Sequence, residues 1–239
     1  MTAQLPPFLE VRQLRHCYSQ PDGSRVEALS LDHMSAVGGE AIALVGPSGS
    51  GKTTFLHILA ALIRPTHGEV LFGGRDIFAP RQAGAHWRAM SVGYIFQDMN
   101  LLPDFSAIEN LLLAAEISNV SGPAATERAN SLLRRLDLWN QRGRRPADLS
   151  LGEQQRAAVA RAVIHFPSVI LADEPTASLD AENAGIVMNI LTELCAESRT
   201  LLIVATHDEA IKKRFARVLQ LQRPRAAENP EPVLPEKAV

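Results

Sequence analysis

Cysteine and long apolar runs are both scarce in this chain of 239 residues. Its two cysteines, Cys17 and Cys195, are too few for a disulfide scaffold, which favours a reducing compartment. The best apolar runs, 55–63 and 201–205, fall well short of the roughly 20 residues that a membrane-spanning helix needs. The first residues lack the basic stretch and apolar core of a secretory signal. Any membrane role is therefore expected to depend on a partner.

An excess of charge of either sign is also missing. Lysine and arginine number 24 against 26 aspartate and glutamate residues, which gives a net charge of −2, and no basic stripe is visible. This balance argues against nucleic acid as a partner. Hydrophobic residues make up 46% and charged residues 21%, a balance typical of a folded domain rather than a disordered chain.

Short apolar segments alternate with segments of helical periodicity along most of the chain. Continuous apolar runs, as in strands buried on both faces, occur at 41–45, 169–172 and 201–205. Looser strand patterns lie at 8–14 and 26–34, and helical patterns at 52–63, 108–166 and 181–196. This order predicts an α/β fold with a mainly parallel sheet and a helical insertion. Four prolines within 223–239 predict a disordered tail there.

A glycine-rich loop follows the first buried strand and fits G-x-x-x-x-G-K-[ST] in full. The glycines allow backbone N–H groups to surround phosphate oxygens, and the next helix directs its positive end at the same anion. We expect Lys52 on the outer phosphates of a nucleotide, Thr53 on Mg²⁺ and Thr54 as a further contact. The alternative is a flexible turn. The rest of the loop is Gly46, Pro47, Ser48, Gly49, Ser50 and Gly51.

The buried strand at 169–172 leads into two acids, Asp173 and Glu174. Successive side chains of a strand point to opposite sides, so Asp173 is expected to face Mg²⁺ and Glu174 a different spot for an attacking water. Ligands of open α/β sheets bind beyond the carboxyl ends of strands, where this pair lies. Alone, the pair is equally typical of a solvated strand end; the phosphate loop favours the catalytic interpretation.

Further motifs resemble those of ABC transporter ATPases, in the family's order. LSLGEQQR at 149–156 resembles the signature, ASLD at 177–180 the D-loop, Gln97 the Q-loop glutamine and His207 the switch histidine. The resemblance implies a P-loop NTPase fold over 1–222, with a RecA-like sheet, an antiparallel N-terminal part and a helical subdomain at about 99–160. QDMNLLPDFSAIENLL at 97–112 is most similar to the lipoprotein-release, macrolide-export and FtsE-type group.

The resemblance also implies roles for individual residues. ABC ATPases pair two copies around two ATP molecules, with the phosphate loop of one facing the signature of the other. Glu174 would then act as the general base, His207 would hold the γ-phosphate, and Gln97 would contact Mg²⁺ and the water. The remaining implied contacts are Ser150, Gly152 and Glu153 in the signature, Asp180 at the dimer interface and Tyr18 on the adenine.

Each of these motifs has a plainer interpretation. Ser150 and Glu153 form the capping box S-x-x-E, which starts a helix in any protein, and Asp180 suits a helix N-cap. Tyr18 suits a packed strand aromatic, and a lone histidine after a strand often binds nothing. Leu151 departs from the usual glycine of the signature: it is costly if the backbone there needs a positive φ and tolerated if the residue is helical.

The expected function is that of an ATP-hydrolysing subunit on the cytoplasmic face of the inner membrane. It would pair with itself or a paralogue and drive a separate membrane-spanning permease of exporter or lipoprotein-release type. Leu101, Leu102, Pro103 and Phe105 are candidate docking residues, with ordinary core packing as the alternative. A second hypothesis is an FtsE-like regulatory switch in which ATP-dependent dimerisation matters more than turnover. The transported substrate is not encoded in these motifs.

Overall fold

The computed structural model describes residues 8–79 and 84–224. The strands are β1 (Leu9–Ser19), β2 (Arg25–Ala36), β3 (Ala41–Val45), β4 (His67–Phe72), β5 (Arg75–Asp76), β6 (Val92–Ile95), β7 (Val169–Asp173), β8 (Leu201–Ala205) and β9 (Arg217–Gln220). The helices are α1 (Lys52–Leu59), α2 (Gly84–Ser91), α3 (Ala107–Ile117), α4 (Gly122–Arg135), α5 (Leu151–Val163), α6 (Ala181–Ser198) and α7 (Glu209–Lys212), with 3₁₀ turns at Trp139–Gln141 and Pro146–Asp148.

The strands form two sheets. A four-stranded sheet has the order β2-β1-β4-β5, with antiparallel neighbours, and a five-stranded sheet has the order β6-β7-β8-β3-β9, with parallel neighbours. Helices α3, α4 and α5 lie in the chain between β6 and β7. This arrangement confirms the predicted α/β fold with a mainly parallel sheet and antiparallel N-terminal strands.

Hydrophobic cores cover both faces of the parallel sheet. One contains side chains of α3 to α6, such as Leu111, Leu133 and Val187. The other contains side chains of the antiparallel sheet and α1, such as Val11 and Phe55. Every residue of β7 and β8 is buried, which explains their continuous apolar sequences. The cores hold the carboxyl ends of β7 and β8 rigidly at one edge of the sheet.

The structure differs from the sequence-based predictions at the end of α1 and at α2, and it also contains β5, α7 and β9, which were not predicted. The helix predicted over 52–63 ends at Leu59, because Ala61 takes a left-handed backbone with φ of 51°. Helix α2 was not predicted from the sequence. Only Trp87 of its eight residues is buried, so the apolar pattern of this segment is weak. Arg223 and Pro224, at the start of the predicted tail, are described, whereas 225–239 lie outside the described residues. Within the described ranges, no helix combines the length and apolarity needed to cross a membrane.

Candidate active site

A pocket of about 310 Å³ opens where β3 and β7 end. These strands flank β8 in the parallel sheet, so their carboxyl ends meet at the same edge. The residues that line the pocket are Ala28, Ser48, Gly49, Gly51, Lys52, Thr53, Thr54, Gln97, Asp173 and Glu174. The structure thus brings together the glycine-rich loop, the glutamine and both acids that the sequence predicted as one site.

Gly51 shows why this loop requires glycine. Its φ is 88°, and a Cβ atom there would lie 2.2 Å from the carbonyl oxygen of Ala28 on β2. Helix α1 begins at the next residue, Lys52, so the close approach of loop and strand aims the N-terminus of α1 at the pocket. The exposed N–H groups of that helical turn favour a bound anion.

Lys52 places a positive charge at the base of the loop. Its Nζ donates hydrogen bonds to the carbonyl oxygens of Gly46 at 2.9 Å and Pro47 at 3.4 Å. The backbone N–H of Ser50 also donates to the Pro47 carbonyl, at 3.1 Å. These bonds hold the loop in a compact turn around its lysine. The buried Ser50 hydroxyl has no hydrogen-bond partner within the described ranges.

The two acids at the end of β7 line the same pocket. The expectation that their side chains face opposite sides rested on a strand that continues through Glu174, and the backbone there is different. The strand ends at Asp173, and Glu174 takes a left-handed φ of 47° while its N–H donates to the carbonyl of Ala205 at 3.0 Å. A left-handed backbone at a non-glycine residue is typical of functional sites, where the surrounding structure stabilises it.

His207 contacts Glu174 directly. Its Nδ1 lies 2.8 Å from Oε1 of Glu174, and its backbone N–H donates to Oε2 at 3.4 Å. The carboxylate is 13% exposed and the imidazole 74% exposed, so the histidine lies on the solvent side of the acid. His207 therefore joins the pocket through Glu174 rather than by lining it. Tyr18 is similarly connected, because its hydroxyl lies 3.4 Å from that of Thr54.

The residues of the predicted signature lie at the start of α5, outside the set that lines the pocket. The Ser150 side chain accepts from the N–H of Glu153, and the Glu153 carboxylate accepts from the N–H of Ser150, which forms the capping box. This bond lowers the pKa of Glu153. Leu151 is the first helical residue, has no positive φ and is 52% exposed. Leucine is therefore tolerated by the backbone here.

Asp180 caps the neighbouring helix α6. It accepts hydrogen bonds from the backbone N–H of Asn183 at 2.9 Å and from its side chain at 2.7 Å, and these bonds lower the pKa of Asp180. A Cβ atom on Gly152 would lie 3.2 Å from Oδ1 of Asn183, so the N-termini of α5 and α6 lie side by side. The structure thus separates the predicted residues into the pocket around the glycine-rich loop and a second group at these two helix starts.

Two residues that contribute to the site were not predicted from the sequence. Ala28 lines the pocket because Gly51 lets the loop approach β2, and no sequence signal marks an alanine for such a contact. Arg161 on α5 donates to the carbonyls of Met99 and Asn100, at 2.7 and 2.5 Å, and so anchors the segment that follows Gln97. Its position on an ordinary helical pattern gave no indication of that contact.

A protein-family model described as "ABC transporter" matches residues 30–177, more than half of the chain. The chain belongs to the ABC transporter family. The ABC relatives include the lipoprotein-releasing system ATP-binding protein LolD of Syntrophus aciditrophicus, 42% identical over 90% of this chain and 96% of that protein. LolD of Geobacter metallireducens is 39% identical over 90% and 95%. The pyoverdine export ATP-binding/permease protein PvdT of Pseudomonas entomophila is 37% identical over 97% of this chain and 36% of PvdT.

Solved structures of ABC proteins are similar to this chain in fold as well as in sequence. A dimeric ATP-binding cassette in a post-hydrolysis state, bound to ADP and Pi, is 30% identical with a TM-score of 0.82, over 90% of this chain and 94% of that one. A second dimeric bacterial ABC transporter cassette is 31% identical with the same TM-score. The predictions of an ABC ATPase fold and of an ATP-hydrolysing ABC subunit are therefore confirmed.

Proposed function

We propose that this ABC ATPase hydrolyses ATP with Mg²⁺ in the pocket and so drives a separate membrane-spanning permease of the lipoprotein-release type. It would act as a peripheral subunit on the inner face of the cell membrane. The observation that carries the proposal is the pocket itself, which collects the phosphate loop, Gln97, Asp173 and Glu174. The release type is supported by relatives named for lipoprotein release, one of which matches this chain over 96% of its own length.

The oxygen donors of the pocket suit Mg²⁺. They are the hydroxyl of Thr53, the side-chain amide oxygen of Gln97 and the carboxylate of Asp173. No group of three histidine, cysteine or acidic residues in the described part of the chain forms a metal cage on its own. Mg²⁺ commonly binds through one or two carboxylates together with substrate phosphates, and it then neutralises charge on those phosphates.

Glu174 is the residue we assign to the attacking water. Its carboxylate borders the pocket and is held by His207, so it is positioned to accept a proton while the water oxygen bonds to the terminal phosphorus. The bond from that phosphorus to the ADP oxygen breaks, and the proton passes on to the released phosphate or solvent. Lys52 and the loop N–H groups bind the phosphate oxygens on which charge collects.

The second group of residues supports a two-copy arrangement. Ser150, Gly152 and Glu153 start α5, and Asp180 starts α6, on a surface separate from the pocket. The exposed start of α5 suits phosphate oxygens of a nucleotide held by another subunit. We propose that a second copy, or a paralogue, closes over the pocket with this surface, as the dimeric state of the related cassettes suggests.

A groove of about 550 Å³ between α2, β6, α3 and α5 is the proposed binding site for the permease. Phe96 lines this groove, and the next residue, Gln97, lines the nucleotide pocket, so one peptide bond connects the two. Ala89, Ala114 and Ile117 also line the groove, so it offers an apolar surface to a bound segment. Leu102 and Phe105, each 40% exposed, lie outside the groove lining.

The docking proposal predicts that Ile117→Glu abolishes capture of the membrane protein. Ile117 lines the groove and is 62% exposed, so a charge there opposes apolar contact without disturbing the fold. Tagged chains are expressed in the source cells, membranes are solubilised, and the bound proteins are identified by mass spectrometry. ATP hydrolysis by the purified variant is expected to stay within about twofold of the parent, since changes at exposed sites are usually small.

Phe166→Glu is the matched control, because Phe166 is 60% exposed and lies outside this groove. It should retain the membrane protein. Equal capture of the membrane protein by both variants would contradict the proposal that the permease binds in this groove. A captured protein with few spans and a large domain outside the cytoplasm supports the release type, whereas one with many spans contradicts it. ATP-dependent dimerisation with no captured membrane protein from the parent chain would instead favour the regulatory switch.

Tyr18 is proposed to stack on the adenine ring, since it is 42% exposed and its hydroxyl reaches Thr54 in the loop. Stacking needs only an aromatic face and contributes about 1–3 kcal/mol per base. Tyr18→Ala should therefore raise the Kd for ATP about tenfold, and Tyr18→Phe should leave it within about twofold. Titration with a fluorescent ATP analogue measures both. A loss as large for phenylalanine as for alanine would show that the hydroxyl, not stacking, matters.

A further inference from the structure

The segment after β9 lies against the phosphate loop. Strand β9 pairs with β3 up to Val45 and Gln220, and the N–H of Leu221 continues this pairing to the carbonyl of Val45 at 2.8 Å. Two residues later, Nε of Arg223 donates a hydrogen bond to the carbonyl oxygen of Ser48 at 3.0 Å. A side chain 175 positions away in the sequence therefore contacts the tip of the loop.

This contact bears on the orientation of one peptide group. The Ser48 carbonyl and the Gly49 N–H belong to the same planar trans unit, so they point in opposite directions. Ser48 and Gly49 both line the nucleotide pocket, whereas Arg223 does not. Because the carbonyl points toward Arg223, outside the pocket, the N–H of Gly49 faces the pocket.

The same peptide has little else to hold it. Gly49 has φ of 77°, and a Cβ built there meets no atom within 4 Å, so the space beside this residue is open. The carbonyls of Gly46 and Pro47 accept from Lys52 inside the loop, whereas that of Ser48 accepts from Arg223. A rotated peptide would turn the Ser48 carbonyl oxygen toward the phosphates, and two electronegative groups would then repel each other.

We propose that Arg223 is a positioning residue for ATP binding. Its hydrogen bond keeps the peptide between Ser48 and Gly49 turned so that an N–H group meets the phosphates. The inference rests on the proposed nucleotide pocket and adds to it a residue from the end of the described chain. Loss of the bond lowers the affinity for phosphate-bearing nucleotides and leaves the turnover of bound ATP unchanged, since Arg223 touches none of the reacting atoms.

The test compares Arg223→Ala and Arg223→Lys with Arg217→Ala. Arg217 lies on β9 and pairs with Glu40 at 2.7 Å, so its loss removes an arginine from the same segment without touching the loop. Arg223→Ala should raise the KM and Kd for ATP about 3- to 10-fold, the range expected for one hydrogen bond, with kcat within about twofold. Arg223→Lys retains a donor and should recover part of the affinity. Arg217→Ala should match the parent.

Two further measurements separate positioning from general damage. The affinity for adenosine, which has no phosphates, should be the same in Arg223→Ala and the parent. The amide ¹H–¹⁵N resonance of Gly49 should be single in the parent and broadened by exchange in Arg223→Ala. An unchanged KM, an equal loss in Arg217→Ala, or an equal loss for adenosine would overturn the role of Arg223. Failure of the parent itself to bind ATP would instead overturn the proposed pocket.

Discussion

Glu174→Gln is expected to lower the rate of ATP hydrolysis about 10²- to 10⁴-fold, the usual contribution of a positioned general base. Glutamine has the shape of glutamate but cannot accept the proton of the attacking water. In the parent structure Nδ1 of His207 lies 2.8 Å from Oε1 of Glu174. The side chain of glutamine is long enough to keep this contact, so the local structure should persist. ATP binding should survive, because Lys52 and the loop N–H groups are unchanged. Phosphate release at saturating ATP and the Kd for ATP are the two measurements.

A second readout follows from blocked hydrolysis. ATP that binds without being cleaved should hold two copies together, so Glu174→Gln should elute as a dimer in ATP and Mg²⁺ and as a monomer without nucleotide. Glu209→Gln is the control, since Glu209 is an exposed acid shortly after the neighbouring strand β8 and pairs with Lys212 three residues later. Turnover near the parent rate in Glu174→Gln would remove this residue from the chemical step.

The lining of the proposed nucleotide pocket was largely predictable because its main parts are short motifs of consecutive residues. The loop at 46–53 follows a buried strand, and Asp173 ends another, with Glu174 directly after it. Since carboxyl ends of parallel strands meet at one edge, these motifs had to converge. The backbone of Glu174 was not predictable. Its left-handed turn depends on the bond from its N–H to Ala205, a residue of a different strand.

The starts of α5 and α6 mark another limit of sequence reasoning. The capping box of Ser150 and the cap by Asp180 were both foreseen, and both are present. A capping residue, however, shows where a helix begins and does not show which other helix packs beside it. The contact between Gly152 and Asn183 and the bond from Arg223 to Ser48 join segments far apart in sequence. Such contacts follow from the packing of whole helices and strands, which local patterns do not encode.

Gly51→Ala is expected to abolish measurable ATP binding, with a loss of affinity above about 100-fold. The new methyl group would lie 2.2 Å from the carbonyl oxygen of Ala28, a backbone atom at a β-bulge of β2 whose neighbours Glu27 and Leu29 are paired with β1. The loop must therefore move, and the N–H groups at the start of α1 move with it. A left-handed backbone at alanine costs about 1–2 kcal/mol and overpacking about 1–3 kcal/mol, so unfolding in urea should show a loss of about 2–5 kcal/mol.

Gly23→Ala isolates the contact from the backbone strain. Gly23 has φ of 82°, close to the 88° of Gly51, but a Cβ built on it meets no atom within 4 Å. It lies in the turn between β1 and β2, outside the pocket lining. This variant should lose only about 1–2 kcal/mol of stability and keep its affinity for ATP. If Gly51→Ala also bound ATP normally, the close approach of the loop to Ala28 would not be what shapes the phosphate site.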